Sequence, residues 1–214
     1  MRRLLLLCLV ATTGFAAPIS SQTPEFAGQV DEATLAALSP LLADASRDSL
    51  PVAALEAKAL EGRVKGHSPD VIGKVLSELA QDFRDSRDAL RAELPDRPLT
   101  SGEIVAASLA RSHSVPDAVI VGLMDGRLPG SMEIPVTVLG ELVRRGVSPG
   151  DAAWVIRHVA QQEISMSRVA QIPGRFDVGM QGAGSGRPGL LRALQSLGIP
   201  GPPSRPPGPP GRDR

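Results

Sequence analysis

The sequence predicts an all-α fold: a multi-helix bundle or short helical-repeat array of about seven helices, followed by a disordered C-terminal tail. Three observations carry this expectation. Apolar residues recur at three- and four-residue spacing in one segment after another, Gly and Ser-Pro phrases punctuate those segments at helix-length intervals, and no run sustains the alternation of a strand. Val119-Ile120-Val121 is β-prone, yet the capping residues around it and Leu123-Met124 after it fit a helix better.

Taken in order, the chain begins with Arg2 and Arg3, an apolar run from Leu4 to Ala11, and small residues at Ala16 and Ala17. That is the order of a secretory signal peptide, assigned to residues 1–17, and the run is too short to span a membrane. Cys8 follows Leu7 inside the run rather than a small residue, which argues against lipoprotein anchoring. It is the chain's single cysteine, so the exported protein is expected to have no disulfide, no thiol nucleophile and no thiolate metal site. Residues 18–30 read as a flexible leader.

Asp31 opens a helical pattern through Leu35, Leu38, Leu41 and Leu42, with Ser39-Pro40 as a break or restart. The stretch from Ser49 to Asp70 is the unit around which the chain is built. Ser49 is expected to cap a helix that takes Pro51 in its first turn and Val52, Leu55, Ala59 and Leu60 on its apolar face. Gly62 and Gly66 end it, and Ser68-Pro69-Asp70 start the next. Pro69–Glu93 is the longest predicted helix, with Ile72, Val75, Leu76, Leu79, Phe83 and Leu90 on one stripe. In its charged second half Arg84, Asp88 and Arg91 are spaced to pair along the helix.

Two prolines within Leu94-Pro95-Asp96-Arg97-Pro98 break the pattern. Thr100 and Glu103 have capping-box spacing before a helix from Ile104 to Arg111, and Ser114 and Asp117 repeat that relation before the next. Val136 to Arg145 makes a further short helix, and Asp151 starts a last long one expected to reach about Val169.

Residues 49–93 and 114–145 share a loose phrase. Both open on Ser-x-Pro, Glu61-Gly62-Arg63 matches Asp125-Gly126-Arg127, and Val75, Leu76, Glu78 and Leu79 are echoed by Val138, Leu139, Glu141 and Leu142. One-residue slips are needed to align them, so either a degenerate duplication of a helix pair or the small vocabulary of helix caps accounts for the likeness. The helical domain is assigned to residues 31–172. Residues 173–214 are Gly- and Pro-rich and expected to be disordered, apart from a short helix over 189–197 marked by Leu190, Leu191, Leu194 and Leu197.

Composition narrows the function classes. Loss of Arg2 and Arg3 with the signal takes 23 basic residues to 21 against 23 acidic ones, a formal charge of −2, so no nucleic-acid partner is expected. Hydrophobic residues make up 42% of the chain but aromatic ones 2%, with one Trp and no Tyr, which leaves few platforms for sugars or bases. His67, His113 and His158 are far apart and form no H-x-x-x-H or H-E-x-x-H spacing. Gly182-Ala183-Gly184-Ser185-Gly186 superficially suggests a nucleophile elbow or phosphate loop, yet it follows no strand, has no Lys behind its glycines, and reads as a linker.

The candidates left are Glu61 and Asp125, acids beside a glycine at helix C-termini, where the helix dipole disfavours negative charge. If the duplication were real, a pseudo-two-fold arrangement could join them as a cation site or an acid/base pair. Otherwise each pairs with the arginine two residues on, Arg63 or Arg127, or is solvated. The expectation is an exported, non-enzymatic protein of the cell envelope or exterior, periplasmic or extracellular, acting as a protein-interaction or structural module with an unidentified protein partner and no cofactor. The alternative is a carboxylate-based cation-binding protein or enzyme using Glu61 and Asp125.

Overall fold

A computed structural model describes residues 24–126, 130–162, 164–180 and 186–201; the expected signal peptide and the chain from residue 202 onward lie outside this set. Every regular element among the described residues is a helix: α1 (Pro24–Gln29), α2 (Glu32–Arg47), α3 (Val52–Val64), α4 (Pro69–Glu93), α5 (Ser101–Ser112), α6 (Asp117–Met124), α7 (Glu133–Arg144), α8 (Pro149–Gln161), α9 (Met166–Val169), α10 (Ile172–Met180) and α11 (Arg187–Ser196). The fold is an all-α bundle, as the periodicity requires. No described helix is long and apolar enough to cross a membrane.

One turn recurs five times and sets most of the boundaries. After α2, α3, α5, α7 and α11, a residue with positive φ reverses the chain: Ser49 (56°), Gly66 (76°), Ser114 (64°), Gly146 (87°) and Gly198 (65°). In each case the next N–H bonds a carbonyl of the helix's last turn, as from Leu50 to Ala45 (2.9 Å) and from Val147 to Leu142 (3.0 Å). This is the Schellman arrangement, which satisfies carbonyls that the helix leaves open. The residue so turned inward is buried in four of the five, at Leu50, Val115, Val147 and Ile199. Pro follows one or two residues later every time.

That geometry corrects the expected caps. Ser49 and Ser114 terminate α2 and α5, and the residues at the entry of α3 and α6 are Pro51 and Pro116. The capping box of Thr100 and Glu103 forms as its spacing predicts, while Asp31 caps α2 by accepting from Thr34 N (2.8 Å) and Ser148 caps α8 by accepting from Asp151 N (3.2 Å). Pro40 neither breaks nor restarts α2. It sits on the exposed face, where water can take the carbonyl left by its missing N–H.

The core has two parts. Phe26, Leu38, Leu42, Leu55, Leu76 and Phe83 centre the first, built from α1 to α4 with Ile104 from α5. Leu123, Leu139, Leu142, Ile156, Phe176 and Leu194 centre the second, built from α5 to α11 with Leu90 and Leu94 from the end of α4. Leu99 packs against both. α7 packs chiefly on α5, and Gly140 is what lets it approach: a Cβ there would lie 3.0 Å from the Ala110 Cα.

Helices also form where composition marked a leader (α1) and the first part of the tail (α10), and α11 falls on the short helix expected over 189–197. α1 buries Phe26 in the first core, and α10 and α11 bury Phe176, Leu190, Leu194 and Ile199 in the second. Gly189 is a packing site rather than a linker residue, because a Cβ there would lie 2.9 Å from the Phe176 ring. Arg187 stacks 4.0 Å over the Trp154 ring and His158 Nε2 lies 3.1 Å from the Pro200 carbonyl, so α11 is tied to α8 at both ends. The expected last long helix divides into α8 and α9, with residue 163 outside the described set.

Candidate functional site

α3 and α4 form a hairpin around Gly66, and α5 returns along the middle of α4. On α4, Val71, Val75 and Leu79 follow at four-residue spacing, on the flank of the buried stripe Ile72, Leu76, Ala80 and Phe83. Val75 and Leu79 read from sequence as members of a single buried stripe. Instead Val75 is 38% exposed and Leu79 half-buried, with Val71 at 48% and Leu109 of α5 at 41%. Val64 of α3 stands 89% exposed, and Val64, Val71, Val75 and Leu109 are the exposed large hydrophobic residues among those described.

Three clefts run together along this face. A cleft of 190 Å³ between α3 and α4 is lined by Lys58, Lys65, His67, Val71 and Val75. Through Lys58 and Glu61 it meets a second, of 420 Å³, over Ala54, Leu79, Phe83, Val105 and Leu109. Through Asp82 and Ser108 that meets a third, of 310 Å³, with Asp85, Arg111 and Ser112. The result is a trough whose floor is apolar over the first two clefts and polar over the third, and Val71 to Asp85 on its α4 wall rises about 21 Å at about 1.5 Å per residue.

Its two ends differ in charge. At one end Glu61 accepts from Lys58 (2.8 Å) and from Lys65, and these hydrogen bonds, the Lys58 one foremost, hold its pKa down to about 2. Two ammonium groups therefore share one carboxylate beside His67. At the other end stand Asp82 and Asp85, the latter accepting from Gln81 Nε2 at 2.7 Å. Arg111, which lines the same cleft, is turned to Asp117 (3.0 Å) and Ser86 (3.4 Å).

The structure does not bring the two sequence candidates together. Glu61 lies in the trough and is engaged by lysines at i−3 and i+4, while Arg63 faces Asp31 at 3.7 Å. Asp125 ends α6 and lines a separate cleft of 550 Å³ with Asp96, Met124 and Met132. His67 and His113 follow helix ends and His158 lies on α8, as expected, in three separate surroundings. No group of three or more His, Cys, Asp or Glu converges among the described residues. Along α4, Arg84 does not pair with Asp88 as the spacing suggested; Asp88 accepts instead from Arg87 Nε at 2.8 Å. Arg84 Nε reaches Asp48 Oδ2 (2.8 Å) and Arg87 donates to the Asp48 carbonyl, so both clamp the end of α2.

Beside the 550 Å³ cleft, Glu103 is a buried acid with three donors. Its carboxylate accepts from Thr100 N (3.0 Å), Met132 N (2.9 Å) and Arg97 Nη2 (2.6 Å). Burial alone would raise its pKa, but these donors outweigh burial and hold it below the usual range. The capping box was legible in sequence; the bonds to Met132 and Arg97, which tie the entries of α5 and α7 together, were not.

The trough's own signal was present and unread. Val71, Ile72, Val75, Leu76 and Leu79 span an apolar arc wider than one packed neighbour covers, so some of it had to face solvent or a further helix. What the arrangement can do is bury apolar side chains of another molecule between a cationic and an anionic end. Comparison of the chain with protein families, with curated proteins and with solved structures gives no match.

Proposed function

We propose that this chain is an exported, non-enzymatic interaction module of the cell envelope or exterior, and that it binds another polypeptide through the trough along α4. The observation that supports this is the gathering of Val71, Val75 and Leu109 on one face, three of the four exposed large apolar side chains among the described residues. Contiguous exposed apolar surface of this kind marks sites of association. The signal-peptide pattern at the start supports export. A cation-binding or enzymatic reading has no comparable support, because Glu61 is engaged by two lysines and Asp125 lies in another cleft.

Affinity capture from the exported fraction of the native cell tests the proposal, using three baits: residues 18–214, the same chain ended at Gly201, and the full bait carrying Val75→Glu. The expected result is one partner held by the first two and lost by the third. A partner that stays with Val75→Glu, or leaves with the tail, removes the trough as the site. An earlier end, at Ile172, would strip Phe176, Leu190 and Leu194 from the second core and test folding instead of binding.

A further inference from the structure

The trough is an unfilled counterpart of a position that is filled elsewhere in the same chain. In the register that pairs Val75 and Leu79 with Val138 and Leu142, Val71 falls on Ile134. On α7 that stripe is covered: Val138 is 4% exposed, Leu142 fully buried and Ile134 half-buried. α9 and α10 lie against it, with Ala170, Pro173 and Gly174 lining one cleft together with Ile134 and Val138. On the matching stripe of α4, Leu79 is half-buried but Val71 and Val75 are exposed.

We infer that the trough is the docking site of a short amphipathic helix from a partner polypeptide, about 14 residues or four turns long. Its apolar face lies on Val71, Val75 and Leu109, acidic residues at one of its ends meet Lys58 and Lys65, and basic residues at the other meet Asp82 and Asp85. This rests on the proposed function and names the class of partner. Length follows from the run of Val71 to Asp85. Helical form follows from the four-residue ridge of Val71, Val75 and Leu79, which takes the matching ridge of a second helix, and from the absence of any strand edge among the described residues that could pair an extended peptide. Charge follows from the poles: one carboxylate for two lysines at one end, and at the other two aspartates beside Arg111, whose own charge is paired with Asp117. A helix with acids in its first turn and bases in its last is stabilised by its own dipole as well, which sets it parallel to α4.

The test uses a fluorescein-labelled synthetic 16-residue helix with Leu at i, i+4, i+7 and i+11, Glu in the first turn and Arg in the last, and a control with Ser at the Leu positions. Fluorescence anisotropy against the full exported chain should show binding of the first peptide and at least tenfold weaker binding of the control. Val75→Glu, and separately Leu109→Glu, should each weaken the first peptide tenfold or more while leaving the circular dichroism spectrum unchanged. Asp82→Lys with Asp85→Lys should weaken it three- to tenfold at low salt and less at high salt. Equal binding of both peptides, or binding unaffected by both glutamate substitutions, overturns the inference. If a native partner is captured and is lost with Val75→Glu while the helical peptide fails to bind, the interaction module stands and the helix is withdrawn.

Discussion

α4 and α7 carry the same short phrase of apolar residues, and the molecule uses it in two ways. On α7 the side chains are enclosed from several directions: α5 approaches closely at Gly140, and α9 and α10 lie across the far flank. On α4 the stripe through Ile72 and Leu76 is enclosed by α2 and α3, but the flank through Val71 and Val75 is left open. Hydrophobic burial is non-directional, so an apolar arc takes whatever cover is at hand. The later helices of this chain supply it for α7, and nothing in the described residues supplies it for α4. Val71 and Val75 are two of the four exposed large apolar residues among those described, with Val64 on α3 and Leu109 on α5.

The largest expected effect sets the two stripes directly against each other. Val138→Glu should cost more than about 3 kcal/mol, because it puts a charge into a packed interior. The matched Val75→Glu should stay within about 0.5 kcal/mol. Urea unfolding of both variants measures the difference, and equal losses would mean that the α4 flank is covered after all.

Next, Leu142→Ala should cost about 3 kcal/mol and the matched Leu79→Ala about 1 kcal/mol, since only the first leaves a closed cavity. A ratio near one in thermal or urea unfolding would break the comparison in the same way.

Glu103→Gln should cost about 2 kcal/mol, because an amide cannot accept from all three donors that the carboxylate serves. It also has a pH signature. The folded pKa of Glu103 lies below its unfolded value, so its stabilisation is fully present above the unfolded pKa of about 4.3 and is lost as pH falls through the folded pKa. Unfolding followed from pH 7 to pH 3 should therefore show a shallower acid decline in the variant than in the parent. Parallel curves would mean that the carboxylate's charge adds nothing to the joint between α5 and α7.

The smallest effect concerns a feature that both halves share. Ser49→Gly and Ser114→Gly should each raise stability by about 0.5 kcal/mol, since the left-handed conformation is strained for serine and open to glycine. Similar gains in the two halves would show that the turns are local devices indifferent to how their helices are covered. A loss at Ser49 alone would tie that turn to the neighbouring trough.

Legibility followed range along the chain. The span of α4 was readable because Pro69 and Pro95 bracket it and Asp70 favours its start. The pair Thr100 and Glu103 was readable because a capping box closes within four residues. Ser49 was misread because a serine before Leu-Pro resembles an N-cap, and only the carbonyl of Ala45 and the burial of Leu50 make it a helix end. Phe176 and Gly189 were missed for the reverse reason: glycine-rich composition looks like a linker until an aromatic ring is packed against one of the glycines. For the trough, the width of the apolar arc on α4 was legible, but which part of it stays open was not, since that depends on cover from distant segments.

What the sequence determined by itself is therefore the helical class, the recurring stops at Gly or Ser followed by Pro, and the apolar stripe of each helix. Those depend on backbone sterics and on hydrogen bonds between residues at most five apart. Tertiary structure decided that α7 packs on α5, that α10 and α11 complete the second core, that Glu103 reaches Met132, and that Val71 and Val75 remain open. Burial depends on which far parts of the chain arrive at a face, and no local rule of spacing or capping carries that information.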